Sequence, residues 1–272
     1  MSVHNQAKPG TVTLNRLTRM KRDGEKIAVL TAYDASFAGL LEAAGVDVIL
    51  VGDSLGNVVQ GRKTTVPVTI DDMVYHTRAV TRGCARPLVM ADLPFMTYAT
   101  AQQTLDNAAR LMREGEAHMV KLEAGMLHLE AVRALVGNGI PVCGHLGLTP
   151  QSVHKMGGYR VQGREQEAAD RMLEEAFAQQ AAGIDMLVVE CIPSELGQRI
   201  SEALDIPVIG IGAGPHCDAQ VLVLYDMIGV TRGHRPSFSK NFMDGQDQVE
   251  DAVRSFVSAV KAGSFPGPEH CF

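Results

Sequence analysis

VDVILVGDS, residues 46–54, is a short apolar run that stops on a carboxylate, Asp53. The pattern recurs three times: PLVMADLP, residues 87–94, reaches Asp92; HMVKLEAG, residues 118–125, reaches Glu123; DMLVVECIP, residues 185–193, reaches Glu190. Runs of Val, Ile, Leu and Met separated by stretches of helical composition read as parallel strands whose carboxyl ends share one side of a sheet or barrel. Ligands bind on that side. Ionised carboxylates crowded at one mouth repel one another, and a divalent cation among some of them relieves the repulsion. The expectation is a metal-assisted enzyme.

The same alternation extends in both directions along the chain. A helix is expected over Leu14–Arg22, then a strand from Lys26 to Tyr33, with Asp34 as N-cap of a helix over Ala35–Ala44. Strand Val46–Val51 leads into a Gly-containing loop, 56–67, and a helix starting near Ile70 with Asp71 and Asp72 in its first turn. Further strands are expected at Pro87–Ala91, His118–Leu122, Pro141–His145, Met186–Val189 and Val208–Ile211, with helices at about 101–113, 127–137, 165–182, 194–203 and 250–261. A weak run, Val221–Ile228, is the candidate eighth strand. This order fits a (β/α)8 TIM barrel better than a doubly wound sheet, since no G-x-G-x-x-G joins the first strand to its helix. IGIGAGP, residues 209–215, reads as a phosphate-binding turn or simply as a tight turn.

The 272 residues show no linker, low-complexity tract or repeat, so one domain over 1–272 is expected, with an N-terminal helix and a short C-terminal tail. A net charge of -6 argues against a nucleic-acid partner, which needs a basic face. The start, MSVHNQAKPG, lacks the features of a secretory signal, and no apolar stretch approaches the roughly 20 residues that span a bilayer. A cytoplasmic protein without membrane association is expected. The five cysteines form no C-x-x-C pair, and Cys143 and Cys191 read as buried small hydrophobes.

Lys121 and Glu123, two apart on one strand, point to the same face. Together they form either a structural ion pair or a site in which Lys121 neutralises a substrate carboxylate while Glu123 reaches a metal or its water. Asp53 and Ser54 alone would be a turn or cap pair. In company with Asp92, Asp53 becomes one of a pair of candidate metal ligands, since carboxylate oxygen is the hard donor that Mg²⁺ prefers, usually in one or two direct protein contacts. His145 ends a strand and is either a satisfied core group or a pocket residue. Glu190 has Val188, Cys191 and Ile192 around it; an apolar setting raises a carboxyl pKa and suits it as general base toward a carbon acid. Read from the residues, the site is one for metal-assisted enolate chemistry on a small 2-oxo acid.

The strings KIAVLTAYD, VGDSLG, ADLPFMTYAT, VKLEAG, PVCGHLGLTPQSV, GGYRVQGR, ECIP, PVIGIGAG and SKNF occur in that order from residue 26 to residue 242, so that the chain resembles the ketopantoate hydroxymethyltransferase family. The resemblance implies a barrel of the phosphoenolpyruvate/pyruvate class. It also implies Mg²⁺, and transfer of a one-carbon unit from 5,10-methylenetetrahydrofolate to 3-methyl-2-oxobutanoate through a metal-stabilised enolate, giving 2-dehydropantoate for coenzyme A. By motif, the metal ligands fall on Asp53, Asp92 and Glu123, the oxo-acid contacts on Asp53, Ser54, Asp92 and Lys121, and the proton acceptor on Glu190; His145 is a further pocket residue. A homo-oligomer, a decamer by resemblance, is expected. The loop GVTRGHRPSFSKNF, with Arg232 and Arg235, and the end PGPEHCF lie beyond the strongest motifs. Two rivals are a lyase or mutase of the same barrel class, which would need a reactive Cys or a different acid, and a noncatalytic metabolite-binding barrel, which would not need a base in an apolar pocket.

Overall fold

A computed structural model describes residues 10–232 and 235–272; Met1–Pro9, including His4, and Gly233 and His234 of the loop lie outside the described residues. Eight parallel strands close into a barrel in sequence order: β1 Ile27–Thr31, β2 Val48–Val51, β3 Leu88–Asp92, β4 Met119–Lys121, β5 Val142–Gly147, β6 Met186–Glu190, β7 Val208–Ile211 and β8 Ala219–Leu222. Closure is made by β8 on β1, with Ile27 opposite Ala219 and Val29 opposite Val221.

The apolar runs are continuous because both strand faces are buried. Alternate residues Ile27, Val29, Val48, Leu50, Leu88, Met90, Met119, Met186 and Val188 fill the barrel interior, while Ala28, Leu30, Ile49, Val89, Val120, Leu187 and Val189 pack under the outer helices. The period of two decides the site. Continuing the inward series one step past the packed layers reaches Asp92 on β3, Lys121 on β4, His145 on β5 and Glu190 on β6. The helix Leu14–Arg22 places Leu17 and Met20 in the interior cluster and so closes the opposite end.

Several local expectations hold. Asp34 accepts from Phe37 N at 2.9 Å as N-cap of the helix Ala35–Ala44. The helix Ile70–Gly83 has Asp71 and Asp72 in its first turn, and Asp72 also closes a capping box with Thr69 that the sequence reading did not name. Cys143 and Cys191 are buried and free.

The eighth strand differs from the reading of 221–228. It is Ala219–Leu222, and Leu224–Met227 is a helical turn whose first amide donates to Thr31 Oγ1 at 3.0 Å. A buried glutamine disguised the start of the strand: Gln220 faces outward and donates to the Gly214 carbonyl at 3.0 Å. The stretch 56–67, expected as loop, is entered through a helical turn, Leu55–Val58. The long segment after β5 carries a 3-10 turn, Pro150–Ser152, and a helical turn, Val153–Met156.

Candidate active site

The carboxyl ends of the strands surround a cavity of about 540 Å³ whose lining includes Asp53, Ser54, Asp92, Lys121, Glu123, His145 and Glu190. All seven residues singled out in the sequence meet there. Asp92 and Lys121 are opposite one another in the β3–β4 register, and Lys121 Nζ donates to Asp92 Oδ1 at 2.6 Å with both side chains buried. The other oxygen of Asp92, Oδ2, accepts from Asp53 N at 3.0 Å, which ties the end of β2 to the end of β3. Ser54 Oγ lies 2.8 Å from the Tyr33 hydroxyl.

On the far wall, His145 Nε2 is 3.3 Å from Glu190 Oε2, and His145 Nδ1 is 3.9 Å from Glu123 Oε1. Neither ring nitrogen has a partner at hydrogen-bonding geometry among the described residues. The Glu190 side chain is 15% exposed, the most open of this group of three. The end of β5 packs closely against it. Gly147 has φ +90°, and a Cβ there would stand 2.2 Å from the Glu190 carbonyl oxygen, so only glycine fits beside the end of β6. Gly214 in the Gly-rich run also has positive φ, with the Ser194 side chain where a Cβ would go, so the tight-turn reading accounts for it.

Burial and like charge set the electrostatics. Burial first, and then Asp92, push Asp53 up to about 7, with Lys121 pulling the other way. Burial and then Asp53 hold Glu123 well above the usual carboxylate range. Glu190 is pushed up to about 8 by burial, which Lys121 opposes. Burial alone would lower the pKa of Lys121, but Asp92, Asp53 and Glu123 more than offset it, so the ammonium stays charged. Burial and then Lys121 hold His145 well below its ordinary value, so the ring is neutral at pH 7. The raised values of Asp53, Glu123 and Glu190 show that burial and mutual repulsion resist ionisation of these carboxyl groups, a resistance that a divalent ion among them would relieve.

Among the described residues, no group of three His, Cys, Asp or Glu side chains stands close enough together to hold a metal ion. A closed three-carboxylate cage is therefore not formed. The donor set instead fits Mg²⁺, which takes hard oxygen ligands and commonly only one or two protein carboxylates, the remaining positions going to water and substrate.

Sequence reasoning passed over two buried residues of the cluster. Gln151 donates through Nε2 to Asp53 Oδ2 at 2.9 Å and through its backbone N–H to Glu123 Oε2 at 3.1 Å; the Tyr98 hydroxyl donates to Gln151 Oε1 at 2.5 Å. The signal was present in part, because both lie in motif strings, ADLPFMTYAT and GHLGLTPQS, that end strands. Thr231, Pro236, Phe238 and Phe272, from the two segments beyond the strongest motifs, also line the cavity.

A family model described as ketopantoate hydroxymethyltransferase matches residues 11–268. A protein of Nitrosococcus oceani named 3-methyl-2-oxobutanoate hydroxymethyltransferase is 61% identical over 257 residues, covering 94% of this chain and 97% of its own. One of the same name from Alkalilimnicola ehrlichii is 61% identical over 261 residues, covering 96% and 94%. Among solved structures, phosphoenolpyruvate phosphomutase of Streptomyces platensis superposes with a TM-score of 0.60 at 15% identity, over 79% of this chain and 82% of its own. A 2,3-dimethylmalate lyase, described as a PEP mutase/isocitrate lyase superfamily member, gives 0.57 at 16% identity, over 80% of each chain. At such identities the mutase and the lyase establish the shared barrel only, whereas the transferases match in sequence from end to end. The chain belongs to the ketopantoate hydroxymethyltransferase family, and its reaction is hydroxymethyl transfer to 3-methyl-2-oxobutanoate in pantothenate synthesis.

Proposed function

We propose that this transfer runs through an enolate of 3-methyl-2-oxobutanoate, with Glu190 as base, Lys121 and Ser54 on the substrate carboxylate, Mg²⁺ at Asp53, Asp92 and Glu123, and 5,10-methylenetetrahydrofolate as donor. When bound, the ion supplies Lewis-acid polarisation of the 2-oxo group, which makes the neighbouring C–H more acidic. The observation that carries the reading is the placement of Glu190 across one cavity from the Lys121–Asp92 pair. Lys121 is held charged where a carboxylate can meet it. Glu190 lies in an apolar setting that makes it a base matched to near-neutral pH.

In the reaction, Glu190 takes the C3 proton and the C–H electron pair becomes the enolate double bond. Neutral His145, beside Glu190, adds no competing charge to that transfer. The enolate carbon bonds to the donor methylene as the first of that carbon's two C–N bonds breaks, and water then displaces the second nitrogen to give the new hydroxyl, the two nitrogens ending with the C3 proton and one proton of the water. Asp53, Asp92 and Glu123 would hold the ion directly or through water, with Asp53 and Asp92 also facing the oxo acid. A cavity of about 540 Å³ exceeds the needs of so small an oxo acid and has room for part of a second substrate.

The same reading includes residence in the cytoplasm and a homo-oligomer, ten subunits by family resemblance. Among the described residues no helix is long and apolar enough to cross a membrane. Met126 and Leu127, the latter 95% exposed, are apolar side chains that a second copy of the chain would cover. Light scattering on the purified protein tests the assembly, and a monomer at micromolar concentration would refute it.

The decisive experiment on the chemistry is proton NMR of 3-methyl-2-oxobutanoate in D₂O with the protein and Mg²⁺, with no folate present. Deuterium is expected to enter C3 and to fail to do so with Glu190→Gln. Bound substrate that does not exchange in the unmodified protein would rule out the enolate.

A further inference from the structure

We propose that Gln151 is a positioning residue that sets Asp53 and Glu123 for the cation and the oxo acid. The inference rests on the reading of those carboxylates as the metal site. Gln151 sits in the 3-10 turn Pro150–Ser152 after β5, on a different strand connection from either carboxylate, and is buried. Its backbone N–H donates to Glu123 Oε2 at 3.1 Å. Its side-chain Nε2 donates twice, to Asp53 Oδ2 at 2.9 Å and to the Leu93 carbonyl at 3.0 Å.

The orientation of the amide follows from its partners. The Leu93 carbonyl can only accept, and so can the Asp53 carboxylate, so the nitrogen must face both. The oxygen then faces Tyr98, whose hydroxyl donates to it at 2.5 Å. Both amide hydrogens and the amide oxygen are thereby engaged, and a flipped amide would set oxygen against oxygen at two contacts. One residue thus joins the ends of β2, β3 and β4 to the segment after β5.

The bond from Gln151 fixes the rotation of the Asp53 carboxylate, and with it the direction in which Oδ1 would face a cation. The same residue fixes Glu123 by its main chain, so the relative placement of the two carboxylates is set before any ligand arrives. Partners of metal ligands tune affinity without touching the metal, typically by about 10- to 100-fold.

The test measures Mn²⁺ affinity by electron paramagnetic resonance, with 3-methyl-2-oxobutanoate present, for the unmodified chain, Gln151→Met and Tyr98→Phe. Gln151→Met keeps the side-chain length and the backbone contact to Glu123 but removes the tie to Asp53. Its Mn²⁺ affinity is expected to fall by about tenfold or more, and its KM for the oxo acid to rise. Tyr98→Phe, which leaves the amide oxygen without its donor and so loosens the side chain, is expected to lower affinity in the same direction by about three- to fivefold, and it carries the test if Gln151→Met does not fold. A residue with only a structural role would lower the thermal midpoint and leave Mn²⁺ affinity alone. Folded variants within twofold of the unmodified affinity overturn the proposal. An unmodified chain that takes up no Mn²⁺ overturns the metal reading itself, and this proposal with it.

Discussion

Asp92 and Lys121 stand opposite each other in the register of β3 and β4, and their side chains repeat that pairing through a 2.6 Å Nζ to Oδ1 contact. The ammonium is acted on by Asp53 and Glu123 as well. Breaking a buried pair from one side leaves uncompensated charge, so Lys121→Met is expected to cost about 3 kcal/mol of stability near neutral pH. The sign of its pH dependence follows from the carboxyls. Without Lys121 the raised folded pKa values of Asp53 and Glu123 rise further above their unfolded values. A carboxyl raised in the folded state destabilises when ionised, so the deficit is greatest at high pH and shrinks as pH falls through the folded values toward about 4. Urea unfolding at pH 8 and pH 5.5 measures this; an equal deficit at both would contradict it.

Glu190 must be ionised to act as base, and burial pushes its pKa up to about 8. The rate of C3 deuterium exchange is therefore expected to climb about tenfold per pH unit on the acid side and to level off at or below about pH 8. Glu190→Gln should lower the rate by at least about 10²-fold at every pH. A rate that falls between pH 6 and pH 8 would assign the proton transfer to another group.

Chelation tests the carboxylate cluster directly. Dialysis against EDTA is expected to slow C3 exchange by at least about 10²-fold, the loss of a few kcal/mol of Lewis-acid stabilisation, and added Mg²⁺ should restore it. Asp53→Asn, which reduces the negative charge that draws the ion, should need more Mg²⁺ for half-maximal exchange. Exchange unaffected by chelator would remove the metal from the mechanism.

At the opposite end of the barrel, Asp218 Oδ2 accepts from Lys21 Nζ at 2.6 Å, Ser201 Oγ at 3.0 Å and Val208 N at 2.9 Å. This carboxylate joins the helix that closes the barrel floor to the start of β7. Asp218→Asn is expected to cost about 2 kcal/mol, reduced from the fully buried figure because the pair is partly exposed, and to lower the thermal midpoint by about 4–8 °C. C3 exchange at 25 °C should be unchanged, since the residue is remote from the cavity. Calorimetry beside the NMR assay separates the two effects.

The barrel was legible because its strands are buried on both faces, which writes them as unbroken apolar runs, and each run ending in Asp or Glu marked the mouth. β8 was read two residues late for a reason specific to it. Gln220 satisfies its amide on the Gly214 carbonyl, a contact made only in the folded chain, and a polar residue in a strand of four obscures the apolar signal. The cavity wall from Phe238 and Phe272 was equally hidden, because those residues reach the mouth through irregular chain with no period to read.

The sequence by itself determined the eightfold alternation, the inward parity that sends Asp92, Lys121 and Glu190 to one mouth, and, through motif resemblance, the family. Tertiary structure alone decided how the mouth is organised: the Lys121–Asp92 contact, the approach of His145 to both Glu123 and Glu190, and the span of Gln151 between Asp53 and Glu123. Periodicity specifies which face a side chain occupies within its own strand. Contact between residues on different strands depends on barrel closure and shear, which are properties of all eight strands together.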